Sequence, residues 1–495
     1  MTPTGTPGRK QFLSIFSPVS WLILIAAFSL LWKLGTGSLA AWDEAIYAQV
    51  SKEMLQGADW LTLHWEYKPW FEKPPLLMWM TALFYRLFGI SEFWARLPSA
   101  LSGIALIAVT YSIGKLAYDK RVGFLAAVIL LTCYHFLSFA RFGTMEVMLT
   151  LFVYLALDGY LRLGDAAQKW WYLVWSSCAL ALMAKGAGGI IAPAAIILAL
   201  IFDGCLKAAM QSKHFWLGGL LALLIVAPWH ILMYVWYGRA FIDEYIGYHV
   251  IARSTRVLEG HASSYLYFAG KLVDGFFPWC LLVPFAAVSI IREKLKAQSR
   301  SWILPLLGLL VFGLYTLIPT RRPWYIVPLY PALSIFIAAF LVKLYQSSQS
   351  RPVYRRIIIV GGIILIIVGG MYSFVSLYLN HKPTEPVARL ARLAQSKSPD
   401  DKDSLLLFSE AEPFYAQVAL FYSDRPVKQT YASFKPASED ARRYVNYENL
   451  SDATQDSVKR IILHQEEIGR LALSYDIQVL AEDGSLVFAT IRRKG

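Results

Sequence analysis

Two acidic residues are adjacent where the sequence predicts the start of a helix. Asp43 and Glu44 open residues 42–55, in which apolar residues recur at helical spacing before Gly57 ends the pattern. The positive end of a helix dipole favours anions, so both acids could serve only to stabilise the helix start. A carboxylate held there could instead take part in acid–base chemistry. Such a helix would lie along a membrane surface with its apolar stripe inward.

A second charged pair, Glu72 and Lys73, lies between aromatic residues and precedes Pro74 and Pro75. Two prolines here fix a bend and favour the first turn of a following helix. Lysine at a membrane interface often extends its ammonium toward water beside tryptophan, so the pair could simply anchor the chain. The pair is also well placed to bind an anionic head group.

The composition indicates which elements position these residues. Of the 495 residues, 57% are hydrophobic and 16% are charged, whereas soluble domains carry about 25% charged residues. Runs of about 15 to 24 mostly apolar residues, long enough to cross a bilayer, recur along the chain. They cover residues 17–34, 95–116, 122–140, 144–163, 170–184, 186–203, 215–237, 276–291, 302–318, 324–342 and 356–379. The sequence predicts an all-α polytopic membrane protein with about 11 to 13 transmembrane helices, of which the short fifth could be re-entrant.

The distribution of charge predicts the orientation. The formal net charge is +13, but basic residues concentrate in short loops between apolar runs, which is typical of membrane topology rather than of nucleic-acid binding. With a cytoplasmic N-terminus the inside loops are the basic ones, and an odd number of spans then places the C-terminal region outside. The first span could also be a cleaved signal peptide, which would leave the later topology unchanged. The four cysteines lie in or beside apolar runs, so a disulfide framework is not expected.

The polar C-terminal region, residues 380–495, differs from the membrane module at residues 1–379. Short apolar strand-like runs alternate there with helix-like stretches, which predicts a small extracytoplasmic α/β domain. The strand-like runs are 405–408, 460–463 and 486–491, and the helix-like stretches are 386–395, 413–422 and 466–474.

A third acid belongs to the same predicted outside face. Glu146 lies at the outside end of the fourth span, on the side that the topology assigns to Asp43. A lone acid at the end of a span is costly in free energy and is often functional, although a structural role is the alternative. Several basic residues are predicted on this face too, each of which could simply be an interfacial cation: Lys185, Arg253, Arg321 and Arg322.

The acidic pair, followed by FEKPPLL at residues 71–77, resembles the first periplasmic loop of the GT-C glycosyltransferases. The resemblance is to the bacterial branch that includes lipid A aminoarabinose transferases and relatives of the protein O-mannosyltransferases. Further similar motifs are ARLPSA at 95–100, MAKG at 183–186, PWYIVPLYP at 323–331 and FYSDRP at 421–426. The resemblance covers most of the chain and implies a GT-C membrane module with helices in its first periplasmic loop.

This resemblance implies an inverting transfer of a sugar from a polyprenyl-phosphate donor to a hydroxyl or phosphate acceptor on the periplasmic face. The acceptor would be lipid A or lipopolysaccharide, another glycan or a protein. The family's catalytic aspartate corresponds to Asp43, which would act as the base beside Glu44. Relatives usually carry aspartate where this chain has Glu146, which is a second candidate for the base and would help to orient the acceptor. The protein would reside in the bacterial inner membrane and would not bind nucleic acid.

The same resemblance assigns a set of residues to the departing phosphate. Arginine offers a fork that matches phosphate oxygens, and cations near departing charge lower the barrier. The expected residues are Lys73, Arg253, Lys185, Tyr325, Arg322 and Tyr47, with Arg256 an alternative to Arg253. Relatives often carry an arginine near the donor phosphate where this chain has Ile46. Either Arg253 or Arg322 replaces that arginine, or the donor head group differs.

No cofactor is expected to be required, although some family members bind a divalent metal. Glu72, His249 and His261 could gather around one, but scattered histidines are more often hydrogen-bonded structural groups. Two other functions stay open on the sequence: a polyprenyl-linked sugar flippase or transporter, and a non-catalytic glycan-assembly protein. Transporters usually carry ionisable groups near the bilayer midplane, whereas here these groups cluster at one rim, which favours chemistry at an interface.

Overall fold

The computed structural model describes residues 17–164, 167–256, 264, 266–294, 302–379, 385–397, 403–408, 416–431, 446–454 and 458–494. The first helices are α1 (Pro18–Leu31), α2 (Asp43–Gly57), α3 (Leu76–Phe88), α4 (Glu92–Ala117), α5 (Lys120–Leu131), α6 (Tyr134–Ala140), α7 (Glu146–Leu161), α8 (Trp170–Lys185), α9 (Ile191–Phe202), α10 (Leu206–Gln211) and α11 (Lys213–Tyr237). They are followed by α12 (Arg239–Phe241), α13 (Arg253–Thr255), α14 (Tyr267–Gly275), α15 (Val283–Lys294), α16 (Ile303–Leu317), α17 (Tyr330–Ser347) and α18 (Pro352–Phe374). Short 3₁₀-helices cover Gly186–Ile190, Trp279–Leu282 and Pro323–Leu329, and π-helical segments cover Ile242–Ala252 and Val375–Leu379.

The long apolar helices make this chain a multi-pass membrane protein. By length and composition alone, five described helical stretches could each cross a membrane, and two bent helix pairs bring the number to seven. The five are Glu92–Ala117, Trp170–Phe202, Lys213–Tyr237, Pro323–Ser347 and Pro352–Leu379, and the bent pairs are α5 with α6 and α14 with the segment 279–289. Helices α1, α3 and α16 are apolar but shorter. Each predicted span has a helical counterpart in the structure.

The stretch Trp170–Phe202 consists of two antiparallel helices. Lys185, at the end of α8, lies 2.9 Å from the carboxylate of Glu146, at the start of α7. Asp203, just after α9, accepts a 2.6 Å hydrogen bond from Tyr160, near the other end of α7. Helix α7 is 16 residues long, or about 24 Å, so α8 and α9 run in opposite directions along it. These contacts support the two spans that the sequence predicts here.

A buried tyrosine satisfies backbone groups where a late span departs from α-helix. The hydroxyl of Tyr154, on α7, donates a 2.9 Å hydrogen bond to Pro328 O and accepts one of 2.9 Å from Ala332 N. Both atoms flank the junction between Pro323–Leu329 and α17, where proline interrupts the intrahelical pattern. Such groups need protein partners inside a membrane, so Tyr154 fixes this span against α7.

The first outside region contains α2, a hairpin of β1 (His64–Trp65) and β2 (Lys68–Pro69), and α3. Helix α2 begins at Asp43 and ends at Gly57, as the sequence predicts. Its residues 44–54 are all buried, whereas the sequence predicted one buried apolar stripe at a membrane surface. The difference arises because α3 covers one side of α2 and a helix of the C-terminal region, residues 416–423, packs against it as well.

The C-terminal region forms a six-stranded sheet of order β5-β4-β3-β6-β8-β7. Its strands are β3 (Leu405–Phe408), β4 (Val427–Tyr431), β5 (Asn446–Asn449), β6 (Lys459–His464), β7 (Tyr475–Asp483) and β8 (Leu486–Arg493), and its helices are α19 (Pro386–Lys397), α20 (Ala416–Ser423), α21 (Leu450–Ala453) and α22 (Gln465–Leu471). Strands β3 to β6 are parallel, and β8 and β7 are antiparallel. All of β3 is buried, because alternate residues face helices on opposite sides. The predicted α/β domain is confirmed.

The antiparallel arrangement of α8 and α9 predicts that the exposed residues Lys169 and Lys207 lie on the same side of the membrane. In a variant without the four native cysteines, Lys169→Cys and Lys207→Cys should react with a membrane-impermeant maleimide from the same side. Tyr67→Cys, in the exposed hairpin, should react from the other side. Labelling of Lys169→Cys and Lys207→Cys from opposite sides would mean that residues 170–202 cross the membrane once.

Candidate active site

Asp43, the first residue of α2, is half-buried among other charged residues. Trp42 before it has a φ of 69°, and such a backbone conformation costs a side-chain-bearing residue about 1–3 kcal/mol. It persists only where surrounding contacts hold the chain in place. Burial, with smaller contributions from Glu72 and Glu146, raises the pKa of Asp43 to about 6, while nearby cations oppose the shift. A carboxyl with this pKa is ionised at neutral pH and is well matched to general-base work.

Glu44 holds the start of α2 in place. Its Oε1 accepts hydrogen bonds from Arg96 Nε at 2.8 Å and Gly143 N at 2.9 Å, and its Oε2 accepts one from Ala40 N at 2.7 Å. Arg96 also donates to the carbonyl oxygens of Leu34, Thr36 and Ser38. Glu44 and Arg96 are both buried. Protein groups occupy both oxygens of Glu44, so it holds the start of the helix in place, and the catalytic role predicted from the sequence stays a prediction.

The loop between α6 and α7 packs directly against this ion pair. A Cβ on Gly143 would lie 2.9 Å from Ala95 O and 3.5 Å from Glu44 Cγ. A side chain here would push the loop away from Glu44 and weaken the hydrogen bond from its own N–H. Glycine at this position therefore ties the start of α7, and with it Glu146, to the start of α2.

Glu72 gathers basic side chains on the same rim. Lys73 Nζ lies 2.7 Å from Glu72 Oε1, and His249 Nδ1 lies 3.9 Å from the same oxygen. Burial lowers the pKa of Lys73, although the charge of Glu72 opposes this. Burial alone would raise the pKa of Glu72, but Lys73, His249 and Arg253 hold it well below its usual value. Glu72 therefore stays anionic and organises three basic groups around it.

Glu146, the first residue of α7, pairs with Lys185, the last residue of α8. Lys185 Nζ lies 2.9 Å from Glu146 Oε1 and 5.1 Å from the centroid of the Tyr325 ring. Within the described part of the chain, Glu146 Oε2 has no hydrogen-bond partner, although this side chain is buried. A buried oxygen without a donor costs free energy, so this one is suited to accept a hydrogen bond from a bound hydroxyl.

Two cavities meet at these residues. The first, of about 440 Å³, is bounded in part by apolar side chains of α9 and α16. The second, of about 410 Å³, is bounded in part by aromatic side chains. Five residues line both: Asp43, Glu72, Glu146, Arg253 and Trp324. These acids and the arginine therefore form a wall shared by two compartments.

Among the described residues, the predicted site residues other than Arg256 and Arg321 line these cavities. The remaining ones that line the first cavity are Tyr47, Lys73, Lys185, His249 and Tyr325. Those that line the second are Glu44 and Arg322. Arg253 lines both cavities and Arg256 lines neither, which favours Arg253 of the two alternatives that the sequence left open.

The structure also shows the surroundings of Ile46, the position at which relatives often carry an arginine. Ile46 lines the second cavity together with Arg253 and Arg322. The guanidinium of Arg322 lies 5.5 Å from the ring centroid of Trp324, which lines the same cavity. Arg253 lines both cavities and Arg322 lines only the second, so both supply positive charge beside Ile46, while the choice between the two alternatives stays a prediction.

Glu72 and His249, two of the possible metal ligands, lie close together, with His249 Nδ1 3.9 Å from Glu72 Oε1. Across the described residues, no group of three or more His, Cys, Asp or Glu side chains is arranged to hold a metal ion. His261 lies outside the described residues. A divalent metal stays a prediction from the family resemblance.

Comparison with known sequences agrees with this architecture. Residues 72–232 match the family described as Dolichyl-phosphate-mannose-protein mannosyltransferase. An undecaprenyl phosphate-alpha-4-amino-4-deoxy-L-arabinose arabinosyl transferase of Enterobacter sp. (strain 638) is 27% identical over 67% of this chain and 61% of its own length. An uncharacterised protein of Aquifex aeolicus (strain VF5) is 27% identical over 67% of this chain and 64% of its own. The chain thus spans less than two thirds of the length of these relatives.

Comparison with solved structures extends over nearly the whole chain. ArnT from Cupriavidus metallidurans bound to undecaprenyl phosphate superposes with a TM-score of 0.75, covering 98% of each chain at 19% identity. The apo oligosaccharyltransferase of Archaeoglobus fulgidus superposes with a TM-score of 0.61, covering 84% of this chain and 65% of that chain at 12% identity. The chain has the GT-C fold. The GT-C resemblance predicted from its motifs is confirmed.

The site of this GT-C protein includes residues that sequence reasoning missed. Tyr245, from the π-helical segment Ile242–Ala252, lines the first cavity and forms a 3.1 Å hydrogen bond with His230 Nε2. Gly186 has a φ of 54°, and a Cβ there would lie 2.7 Å from the Tyr245 hydroxyl. Arg96 entered the prediction only as part of a motif. Arg96 lies close to the start of a predicted span, where a buried arginine needs an acidic partner. Its position was therefore the signal in the sequence that could have indicated the ion pair with Glu44.

The ion pair of Glu44 and Arg96 gives a prediction about stability. Arg96→Met leaves a buried carboxylate uncompensated, so the free energy of unfolding should fall by about 3–5 kcal/mol. Thermal melting of the GT-C protein in detergent measures this. Arg389→Met, which removes an exposed cation from the pair with Asp483, should cost less than about 1 kcal/mol. The double variant Glu44→Gln/Arg96→Met should recover part of the loss, and equal melting of Arg96→Met and wild type would contradict the assignment.

Proposed function

We propose that this protein is an inverting glycosyltransferase, which moves a sugar from a polyprenyl-phosphate donor to a hydroxyl or phosphate acceptor. One observation carries the proposal: Asp43, a carboxyl with a raised pKa, lies in the wall shared by two cavities, close to Lys73 and Arg253. Two compartments that meet at a base and at cations suit a reaction between two bound substrates. The names of the Enterobacter relative and of the ArnT complex support an undecaprenyl-phosphate donor.

The first cavity suits the donor, because its lining combines aliphatic side chains with cations. The aliphatic residues are Ile190, Ile191, Ala194, Val250, Leu310, Leu314 and Ile318. A polyprenyl phosphate has an apolar chain and an anionic head, so it needs both kinds of surface. Lys73 and Arg253 would bind the phosphate through charge-assisted hydrogen bonds.

The second cavity suits the acceptor, because its lining is aromatic and polar. Beyond the shared wall it is lined by Trp42, Phe139, Phe142, Thr144 and Arg322, among others. An acceptor bound there would reach Asp43 and Glu146, which line the same cavity. The open oxygen of Glu146 would accept a hydrogen bond from the acceptor and orient it, as the sequence predicts.

The proposed reaction is a single displacement at the anomeric carbon. For a hydroxyl acceptor, Asp43 takes the proton as the hydroxyl oxygen forms its bond to the anomeric carbon. The bond from that carbon to the phosphate oxygen breaks on the opposite face, which inverts the configuration. The electron pair leaves with the phosphate, whose growing charge Lys73 and Arg253 stabilise. Products are the glycosylated acceptor and free polyprenyl phosphate, with the proton on Asp43.

We also propose that this site faces the periplasm of a bacterial inner membrane, with the N-terminus in the cytoplasm and the C-terminal domain outside. The basic loops opposite the site support this orientation. Asp43, Lys73 and Glu146 belong to the same rim of the membrane module, which is the rim that contacts the C-terminal domain.

Asp43→Asn should lower turnover by about 10²–10⁴-fold, because an amide cannot accept the proton, while the donor still binds. The measurement is release of free polyprenyl phosphate from a polyprenyl-phosphate sugar by the protein in liposomes. Unchanged turnover would remove Asp43 from its role as base. A change in the sidedness of the lipid without release would indicate a flippase.

The pH dependence follows from the same residue. Because the pKa of Asp43 is raised from 3.8 to about 6, its basic form is lost as the pH falls through about 6. The value of kcat/KM should therefore fall about tenfold per pH unit below that point. Rates measured between about pH 4 and pH 8 test this, and an acidic limb centred near pH 4 would contradict the perturbed carboxyl.

Lys73→Ala should weaken donor binding by about 10–100-fold, because a charge-assisted hydrogen bond to phosphate contributes about 1.5–3 kcal/mol. Titration of the purified protein with undecaprenyl phosphate, followed by thermal shift, gives the dissociation constant. Lys68→Ala removes an exposed lysine from the same loop and should leave the constant unchanged. Equal affinities for Lys73→Ala and Lys68→Ala would exclude Lys73 from the phosphate site.

A further inference from the structure

The C-terminal domain makes a specific contact with α2, the helix that begins at Asp43. Lys52 Nζ lies 3.0 Å from Asp424 Oδ1 and donates a 2.8 Å hydrogen bond to Phe421 O. Gln56 Nε2 donates a 2.9 Å hydrogen bond to the same Asp424 oxygen. Lys52 is only 6% exposed, and a buried ammonium depends on partners of this kind. These four residues define the α2–α20 interface.

The end of α20 is shaped to receive this ammonium. Asp424 follows the last residue of α20 and has a φ of 55°, a conformation that aspartate tolerates better than most residues. The chain reversal presents the Phe421 carbonyl and the Asp424 carboxylate to a single Lys52 side chain. The FYSDRP motif, at residues 421–426, therefore supplies a docking point for α2.

The same motif also holds the segment that leads into α2. The Tyr422 hydroxyl accepts a 2.9 Å hydrogen bond from Leu39 N and donates one of 2.9 Å to Glu92 Oε1. Arg392, on α19, pairs with Glu92 as well. The domain thus contacts the chain before Asp43 through Tyr422 and after it through the α2–α20 interface.

Helix geometry relates the α2–α20 interface to the site. Lys52 follows Asp43 by nine residues. At 3.6 residues per turn, this spacing is about two and a half turns, so the two side chains project from opposite faces of α2, about 14 Å apart along its axis. Contacts at Lys52 therefore set the rotation and the axial position of a rigid helix whose other end carries Asp43.

We propose that Lys52 is a positioning residue for Asp43, and that it acts through Phe421 and Asp424 of the C-terminal domain. The domain is then part of the catalytic machinery without touching substrate. Glu44 fixes the first turn of α2 and Lys52 fixes its later turns, so the helix that begins at Asp43 is held near both of its ends. The proposal rests on the proposed function where it concerns turnover, but the placement of α2 can be measured separately.

Lys52→Met, which keeps the length and helix propensity of the side chain but removes its charge, tests the proposal in the full-length protein in liposomes. A base displaced by about 1 Å costs up to about 100-fold, so kcat should fall about 10–100-fold. The KM for undecaprenyl-phosphate sugar should change less than about twofold, since Lys52 lines neither cavity. The acidic limb of the pH profile should move with the displaced carboxyl. Lys52→Arg, which keeps the cation, should retain most of the activity.

Arg389→Gln is the matched control. It removes a cation from an ion pair between α19 and β7, within the C-terminal domain. Its kcat and pH profile should equal those of wild type. If Lys52→Met does not yield folded protein, Tyr422→Phe is the alternative variant, because it removes the hydroxyl that contacts the segment before Asp43. Its kcat should fall while its KM stays nearly unchanged, as for Lys52→Met.

Hydrogen exchange separates this proposal from the proposed function. The amides of residues 45–51 in α2 should exchange about tenfold faster in Lys52→Met than in wild type or Arg389→Gln, whatever the enzyme's activity. Wild-type protein that releases no polyprenyl phosphate would overturn the proposed function and leave this measurement intact. Unchanged exchange in α2, or wild-type kcat and pH profile in Lys52→Met, would overturn the positioning role.

Discussion

A charge buried at the rim of a membrane protein requires a partner of opposite charge, and this requirement organises the structure. Glu44 pairs with Arg96, Glu72 with Lys73 and Glu146 with Lys185. Two of these pairs join distant segments: the first links α2 to α4, and the third links α7 to α8. Within the described residues Asp43 alone of the four acids makes no ion pair, and burial raises its pKa to about 6. Paired acids hold segments of the chain in place, and the unpaired acid is the one to which the proposed function assigns the role of base.

Much of the fold and of the candidate site could be predicted from the sequence. Apolar runs predicted the spans. They predicted α8 and α9 as two spans, although the length of the stretch Trp170–Phe202 alone would count it as one. Alternating strand-like and helix-like stretches predicted the C-terminal α/β domain. Each of these stretches overlaps one strand or one helix of the domain in the structure. Asp43, Lys73 and Glu146 were predicted on one face from topology and motifs together, and the two cavities meet among them.

What the sequence could not provide depends on contacts between distant residues. Asp43 and Glu44 are equivalent as neighbouring acids at a helix start, and only Arg96, on another helix, distinguishes them. Arg253 and Arg256 are three residues apart in one outside region. The sequence pattern does not predict the path of the backbone there, so it cannot tell which of the two side chains reaches the cavities. Burial on all sides of α2 arises from α3 together with α20, and α20 lies more than 350 residues later in the chain. Local periodicity therefore predicted the helix but not its surroundings.

The wall shared by the two cavities has a kinetic consequence for the proposed reaction. In that reaction donor and acceptor would occupy separate compartments, so they could be bound together as a ternary complex, and no covalent glycosyl-enzyme would be required. Steady-state rates at several acceptor concentrations should then give intersecting rather than parallel reciprocal lines. When the acceptor compartment holds only water, the same base faces solvent, so slow hydrolysis of the donor becomes the competing outcome. In the proposed reaction, whether an acceptor occupies the second cavity therefore determines whether the sugar is transferred or the donor is hydrolysed.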